Sequence, residues 1–249
     1  MSPLFVVAAA AVMAGAALQS ATGFGFALVC APLLFAALGP QEAIGTLLVL
    51  GAEVNLLMIA GERRRPRPLV RDATVMVAAS LPGALVGVAL LRSLDEVTLQ
   101  VGVTAGVLVA LLVRLRAARA SIEPGPRPGW SAPVAGVTAG ALSTSTNTSG
   151  PPVVLHLMGQ AADPARVRDT LAVCFLGFSV VSAVALVVTG TSGAVPDGAV
   201  LAVLVPLTAL ACVAGRRGFT PLAESGRYDA VLGAIILVAV LTGLLTTLL

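Results

Sequence analysis

Six apolar runs, each about as long as a bilayer-spanning helix, dominate this sequence. They lie near residues 41–60, 73–91, 97–113, 170–189, 199–214 and 230–249. A helix needs about 20 apolar residues to cross the hydrocarbon core of a membrane, where it satisfies its own backbone hydrogen bonds. Only 11% of the 249 residues are charged, against about 25% in a soluble domain. The sequence therefore predicts an all-α polytopic membrane protein without a separate soluble domain.

The sequence matches itself at an offset of 124 residues, which indicates two homologous halves. Segment 40–48 aligns with 164–172, and segment 81–92 aligns with 205–216. The identical pairs are Pro40 with Pro164, Thr46 with Thr170, Leu47 with Leu171, Pro82 with Pro206 and Arg92 with Arg216. A polar stretch rich in Arg, Pro and Gly separates the halves at 114–130. We predict a first membrane repeat over 1–120, a cytoplasmic linker loop over 121–131 and a second repeat over 132–249.

Each half contains one polar, helix-breaking stretch at the same repeat position. QSATGFGFA at 19–27 aligns with STSTNTSGP at 143–151. The apolar pieces beside these breaks cover 4–18, 26–38, 132–142 and 151–159. Each piece is short for a full crossing, and irregular backbone at membrane depth must be buried in protein or line a cavity. We expect one broken segment plus three transmembrane helices per half, which hydropathy alone counts as seven or eight segments.

The arginines distinguish a broken segment that crosses the membrane from one that returns to its own side. All 15 basic residues are Arg, and basic residues collect in cytoplasmic loops. Crossing segments would divide them 9 to 6 between the two sides, whereas re-entrant segments would divide them 14 to 1. The re-entrant arrangement is therefore favoured, with eight crossing spans as the alternative. It gives an inverted repeat with both breaks near the midplane, where alternating-access transporters bind substrate.

The two breaks form the candidate substrate site. Ser149 or Gly150 is placed to cap a helix with Pro151 in its first turn, while Gly23 and Gly25 let a ligand approach the backbone. Free N–H groups and the positive dipole ends of two half-helices suit a small anion. The predicted substrate-binding residues are Gln19, Ser20, Thr22, Gly23, Phe24, Gly25, Thr146, Asn147, Thr148, Ser149, Gly150 and Pro151. The competing interpretation is that they only cap helices and satisfy one another at a tight helix crossing.

Two ionisable side chains inside apolar segments are candidates for proton coupling. Glu53 lies roughly 13 Å inside its span at helical rise, and an intramembrane carboxylate is a functional candidate by default. His156, the single histidine, titrates near neutral pH and fits a proton relay or an anion contact. The structural alternatives are a Glu53 carboxylate bonded to Asn55 or to a neighbouring helix, and a hydrogen-bonded core histidine.

Neither the N-terminus nor the cysteines indicate processing or metal chemistry. Residues 1–18 have no basic residue ahead of the apolar stretch, so we expect this segment to be retained rather than cleaved. Cys30, Cys174 and Cys212 occur singly inside apolar runs without metal-ligand spacing. We interpret them as buried core residues.

Two sequence stretches carry a resemblance to a known family. ATGFGFALVCAPLL at 21–34 and SGPPVVLHL at 149–157, with the two-half hydropathy pattern, resemble the sulfite exporter TauE/SafE family of bacterial and archaeal inner-membrane anion transporters. The resemblance covers essentially the whole chain, and its matching positions are Gly23, Phe24, Gly25 and the run 149–152. It implies transport of a small sulfur-containing or organic anion such as sulfite, a sulfonate or sulfoacetate, driven by the proton gradient.

Other functions and partners follow from the same residues. A passive anion channel is the alternative function, and an intramembrane hydrolase using Ser145 or Ser149 with His156 is a remote one. We predict no enzyme activity, since no G-x-S-x-G stretch is present. The expected partners are a small anion, protons as coupling ion and membrane lipid, with no cofactor, metal or nucleic acid. A homodimer is compatible with the sequence.

Overall fold

The protein is helical throughout the part of the chain that its computed structural model describes. That part comprises residues 3–61, 65–95, 128–158 and 163–224, with individual positions between 97 and 112. The helices are α1 (Pro3–Thr22), α2 (Phe26–Leu38), α3 (Pro40–Ala60), α4 (Val70–Ser93), α5 (Ser131–Ser145), α6 (Gly150–Met158), α7 (Pro164–Val188) and α8 (Gly198–Glu224), with a 3-10 turn at Ser192–Ala194. The predicted span 97–113 is helical at its described positions. The predicted span 230–249 and residues 121–127 of the linker lie outside the described residues.

Five of these helices are long and apolar enough to cross a membrane. They are α1, α3, α4, α7 and α8, in which the qualifying segments are Pro3–Thr22, Pro40–Ala60, Val70–Ser93, Ala165–Val188 and Gly198–Arg217. The expectation of an all-α polytopic membrane protein is therefore confirmed. Cys30, Cys174 and Cys212 are buried free thiols, as the sequence predicts.

Helix boundaries and helix packing both follow the 124-residue offset. α2 begins at Phe26 and α6 at Gly150, while α3 begins at Pro40 and α7 at Pro164. Packing partners correspond in the same way. Helix α1 packs on α8, and its counterpart α5 packs on α4, the counterpart of α8. These helix starts and packing partners thus have the same 124-residue spacing as the matching sequence segments.

Contacts between helices show their relative directions. The start of α3 lies against the segment after α7, through Gln41 and Gly193, and the middles of the two helices meet at Gly51 and Ser179. α3 and its repeat counterpart α7 are therefore antiparallel. α4 runs parallel to α7, because Leu69 N donates to Thr170 Oγ1 at one end and Arg92 Nη1 donates to Thr189 O at the other.

Seven of the eight described arginines lie at one end of the helices, which we call the arginine end. They are Arg65, Arg67, Arg71, Arg166, Arg168, Arg216 and Arg217. Arg166 Nε donates to Arg67 O, and Arg216 lies against Gly61 at the end of α3. Arg92 lies at the other end, beside Thr189, which we call the distal end. The loop after α3 and the start of α7 therefore share one end.

The helices before and after each break fold back on one another. Gly15 of α1 lies against Phe26 and Cys30 of α2. In the second half α5 packs on α6. Each break is thus the tip of a helical hairpin.

The helices before the breaks are longer than predicted. The expected ends at residues 18 and 142 are wrong, because α1 continues to Thr22 and α5 to Ser145. The polar side chains there support the helix, since Thr22 Oγ1 donates to Leu18 O and Ser145 Oγ donates to Ala141 O. Within the two breaks, the non-helical residues are 23–25 and 146–149. At about 1.5 Å per residue, α1 is about 30 Å long, a nearly full span.

A small-residue interface joins α4 to α5. Gly83 and Gly87 of α4 face α5, and Gly136 and Gly140 of α5 face α4. A Cβ atom on Gly140 would lie 2.8 Å from Ser80 Cα, closer than ordinary van der Waals contact. Both pairs have the G-x-x-x-G spacing that lets membrane helix backbones approach closely.

Candidate functional site

The two breaks meet around one small cavity between the halves. Its walls come from α1, both breaks, α2, α3, α5, α6 and α7. They comprise Gln19, Phe24, Gly25, Phe26, Ala27, Leu28, Gly51, Asn55, Ser143, Asn147, Thr148, Ser149, Gly150, Phe175 and Ser179. The cavity offers about 40 Å³ to water-sized molecules. Since one water occupies about 10–15 Å³ on this measure, the space suits roughly three waters or one small oxyanion.

The cavity wall repeats at the 124-residue offset. Six wall residues of the first half have a wall residue as their counterpart in the second half. The pairs are Gln19 with Ser143, Phe24 with Thr148, Gly25 with Ser149, Phe26 with Gly150, Gly51 with Phe175 and Asn55 with Ser179. Positions 124 residues apart therefore lie around the same cavity.

Glycine conformations and one amide shape the first break. Gly23 and Gly25 have φ angles of 87° and 116°, values that side-chain-bearing residues rarely adopt. Gln19 Oε1 accepts from Phe26 N at 3.0 Å, and Gln19 Nε2 donates to Asn55 Oδ1 at 3.0 Å. The Gln19 side chain thus caps α2 and joins it to α3.

The second break has the same backbone turn at the equivalent position. Asn147, the counterpart of Gly23, has a φ of 55°, which Asn tolerates better than most residues. Thr146 Oγ1 and Thr148 Oγ1 share a hydrogen bond of 2.7 Å, and Thr148 N donates to Leu142 O at 3.3 Å. The helix begins at Gly150, so Ser149 directly precedes it, at one of the two predicted cap positions. Phe24 of the first break lies against Gly150.

Backbone N–H groups dominate the donors around the cavity. Among the described residues, no acceptor is found for the N–H groups of Gly25, Ala27, Leu28, Ser149 and Gly150. All five residues line the cavity. The first N–H groups of a helix have no intrahelical partner and carry the positive end of its dipole. The wall itself contains no charged side chain, so the cavity favours an anion through dipoles alone.

Seven of the twelve predicted binding residues line the cavity. They are Gln19, Phe24, Gly25, Asn147, Thr148, Ser149 and Gly150. The other five lie just behind the wall. Ser20 Oγ and Thr22 Oγ1 donate to carbonyls of α1, Gly23 covers Arg168, Thr146 pairs with Thr148, and Pro151 is buried in α6. Substrate binding stays a prediction for all twelve residues.

Sequence reasoning missed the wall residues that come from the spans. Gly51 and Asn55 lie on α3, and Phe175 and Ser179 lie on α7. The missed positions at the helix ends are Phe26, Ala27, Leu28 and Ser143. The available signal was Asn55, a polar residue inside a span whose repeat counterpart, Ser179, is also polar.

The two proton-coupling candidates lie outside the cavity wall. Glu53 lies between the wall residues Gly51 and Asn55 on α3 but is not itself part of the wall. Glu53 Oε2 is buried and has no hydrogen-bond partner among the described residues. Asn55 instead bonds Gln19 and Gly51 O. His156 Nε2 lies 3.0 Å from Asp72 Oδ1, which joins α6 to the start of α4.

Comparison with known families identifies the chain. The family model described as "Sulfite exporter TauE/SafE" matches residues 7–244. The chain belongs to the sulfite exporter TauE/SafE family. The resemblance carried by 21–34 and 149–157 is therefore confirmed over nearly the whole chain. No protein of curated function and no solved structure matches it.

Membership in the TauE/SafE family settles the class of this protein. The family is a membrane transporter family rather than an enzyme family, and its name refers to sulfite export. Together with five apolar helices long enough to span a bilayer, this makes the chain a multi-pass membrane transport protein.

Proposed function

We propose that this TauE/SafE protein is a secondary transporter that binds a small oxyanion in the cavity between its two breaks. The observation that carries the proposal is the convergence of two half-helix N-termini, from repeat-equivalent positions, on one cavity without charged side chains. Helix N-termini are ready-made anion sites. Five wall N–H groups have no acceptor among the described residues, which favours a bound ligand over a purely structural role for the breaks.

The cavity supports a substrate of the size of sulfite or of the head group of a sulfonate. A volume of about 40 Å³ leaves little room beyond one such oxyanion. Hydrogen-bond donors come from both half-helices, and Asn147, Thr148, Ser149 and Ser179 add side-chain groups. The Phe24, Phe26 and Phe175 rings keep the rest of the wall apolar. Such a site distributes an anion's charge over dipoles and releases it more readily than a salt bridge would.

We further propose an inverted repeat with alternating access, in which the arginine end faces the cytoplasm. Three observations support this topology. The counterparts α3 and α7 are antiparallel, each break is a hairpin tip, and the described arginines lie at one end except for Arg92. In transporters built this way, one repeat rocks against the other around a fixed site. In a bacterial or archaeal inner membrane the basic end lies inside.

Proton coupling is assigned to Glu53 and to the pair His156–Asp72. Glu53 Oε2 is buried without a partner among the described residues, and Glu53 is on the same helix as the wall residues Gly51 and Asn55. His156 is on α6, whose N-terminus lines the cavity. Protonation at either place changes the charge within two turns of helix from the anion. We expect Glu53→Gln and His156→Gln each to weaken the dependence of anion flux on a pH gradient.

The test is anion flux in proteoliposomes, with sulfite, sulfate, a sulfonate and a carboxylate, with and without a pH gradient. Ser179→Ala removes a hydroxyl from the cavity wall, and Ser80→Ala removes a buried hydroxyl from α4 that donates to Val77 O. Since one hydrogen bond contributes about 0.5–1.5 kcal/mol, we expect Ser179→Ala to raise the KM of one anion about two- to tenfold. Ser80→Ala should leave KM unchanged.

The proposed function makes two demands on this experiment. Flux must saturate and must respond to the pH gradient. Flux that is linear in anion concentration and indifferent to the gradient would instead identify a passive anion channel. Equal KM values for Ser179→Ala and Ser80→Ala would show that the substrate does not bind in this cavity.

A further inference from the structure

Two repeat-equivalent threonines, Thr46 and Thr170, have different hydrogen bonding. Both side chains are fully buried. Thr170 Oγ1 accepts from Leu69 N at 2.8 Å and donates to Arg166 O at 2.7 Å. Thr46 Oγ1 has no hydrogen-bond partner among the described residues. Buried polar groups are nearly always bonded, and an exception requires an explanation.

The bond made by Thr170 is part of a clamp at the arginine end. Asp169 Oδ2 accepts from Arg67 N at 2.7 Å, directly beside the Leu69–Thr170 bond. Arg168 Nη2 donates to Ser20 O at 2.7 Å, behind the first break. The start of α7 is therefore fixed both to the loop before α4 and to the first hairpin.

The distal end has an apolar chamber at the equivalent place. The chamber, of about 560 Å³, is an outward-open groove between α3 and α7, and Val180 and Val187 in its wall are exposed. It reaches Ser179, which also lines the anion cavity. Its wall includes Gly45 and Thr191, the repeat counterparts of Asp169 and Arg67. At the arginine end, Asp169 and Arg67 form the clamp. At the distal end, their counterparts Gly45 and Thr191 line an open space beside the anion cavity.

The segment that could bond Thr46 already lies beside α3. The counterpart of Leu69 is Gly193, which lies against the Gln41 side chain, and Ala194 lies against Gly45. Among the described residues, no acceptor is found for Gly193 N. An unbonded donor and an unbonded acceptor therefore occupy the positions that are bonded to each other at the arginine end.

We propose that Thr46 and Thr170 are paired gate residues of the transport cycle. In the state described here, the Leu69–Thr170 bond holds the arginine end closed and the chamber gives access from the distal end. In the opposite state, Thr46 Oγ1 accepts from Gly193 N, which closes the distal end while the Leu69–Thr170 bond breaks. This exchange rests on the proposed transport function. It explains the unbonded Thr46 hydroxyl, because that hydroxyl forms its hydrogen bond only in the opposite state of the cycle.

Cysteine cross-linking tests the exchange. With Cys30, Cys174 and Cys212 replaced by Ala, one variant combines Thr46→Cys with Gly193→Cys, and a second combines Leu69→Cys with Thr170→Cys. Both pairs are expected to form disulfides under mild oxidation in proteoliposomes, and each disulfide should abolish anion flux until it is reduced. Thr46→Cys with Gly198→Cys is the matched control, since a Cβ atom at Gly198 would meet no described heavy atom outside its own turn of helix within 4 Å. This control pair should not cross-link.

Valine substitutions test the same proposal without a disulfide. The reporter is Ala183→Cys, an exposed position on the chamber wall, labelled from the distal side by a membrane-impermeant thiol reagent. Thr170→Val removes the bond of the described state, so labelling should fall about fivefold, the shift expected from one net hydrogen bond. Thr46→Val should label at least as fast as the parent, and the double variant should return towards the parent rate.

The outcomes separate the gate from the transport function. If the parent transports anions but the Thr46 and Gly193 pair never cross-links, the gate proposal is overturned and the function stands. Equal labelling of the two valine variants would overturn it as well. If no anion moves in the parent, the transport function fails, whereas cross-linking still reports whether both closed states exist.

Discussion

Substituting Gly140 by Ala tests the packing of the two halves. The added Cβ would lie 2.8 Å from Ser80 Cα and 2.9 Å from Ser80 C, while ordinary contact begins at 3.4 Å. These are backbone atoms, which cannot rotate away, and Ser80 O lies closer still. The helices α4 and α5 must therefore separate by more than about 0.6 Å to reach the contact distance. Overpacking of this kind costs about 1–3 kcal/mol, and the same separation loosens the contacts at Gly83, Gly87 and Gly136.

The net effect of Gly140→Ala is destabilising by about 2 kcal/mol. The higher helix propensity of Ala returns about 1 kcal/mol, against a packing cost at the upper end of its range because backbone meets backbone. For a chain of this size, about 2 kcal/mol lowers the thermal midpoint by about 4–8 °C. The control is Gly198→Ala at the start of α8, where a Cβ meets no heavy atom within 4 Å. Its midpoint should change by less than about 2 °C.

Buried thiols provide the assay for this prediction. Cys30, Cys174 and Cys212 are all buried, so a thiol-reactive fluorophore reports unfolding of the detergent-solubilised protein directly. Gly140→Ala should become reactive at a lower temperature than the parent, and Gly198→Ala should not. Equal midpoints for Gly140→Ala and the parent would refute the close backbone contact between α4 and α5.

Three further predictions follow from single residues. Asn147→Gly should leave the thermal midpoint unchanged. Asn147→Val should lower the free energy of unfolding by about 1–2 kcal/mol, and with it the midpoint, because φ is 55° there and β-branched residues resist that conformation. Gln19→Leu leaves Phe26 N without its acceptor. It should lower the free energy of unfolding by about 1–3 kcal/mol, and with it the same thermal midpoint. Hydrogen bonds from Thr98 lower the pKa of Asp95, so its contribution is present above the unfolded-state pKa and is lost as pH falls through the lowered folded-state value. The protection factor of the Thr98 amide, which is the intrinsic exchange rate at each pH divided by the observed rate, should fall in that acidic range. It should also fall in Asp95→Asn at neutral pH.

The repeat made the tips of the hairpins predictable from sequence. A Gly-rich stretch at 23–25 and its counterpart at 147–149 are the places where the backbone leaves the helix. The offset also placed both tips in one site, where seven predicted residues line the cavity. Matching positions in two homologous halves carry this information because pseudo-symmetry brings equivalent residues to a shared boundary.

Polarity alone misplaced the helix ends. Ser20, Thr22, Thr144 and Ser145 all continue their helices, since their hydroxyl groups donate to carbonyls of the preceding turn. In a bilayer this is the nearest available acceptor. A polar stretch between apolar pieces therefore does not by itself break a membrane helix, and the positive φ angle at Gly23 does.

The contributions of α3 and α7 could not be read from the sequence. Both are apolar over most of their length, and which stripe of such a helix faces a site is decided by its neighbours. Asn55 and Ser179 reach the cavity because α3 and α7 cross antiparallel at Gly51. That crossing depends on tertiary packing, which no local pattern records.

The most direct test of the anion site uses selenite, a heavier analogue of sulfite that scatters X-rays anomalously. A crystal structure of the protein soaked in selenite, at a concentration that saturates flux, should show one anomalous peak inside the cavity. The account predicts oxygen atoms about 3 Å from the N–H groups of Ala27, Leu28, Ser149 and Gly150. A peak confined to the arginine end, or an empty cavity at that concentration, would contradict it.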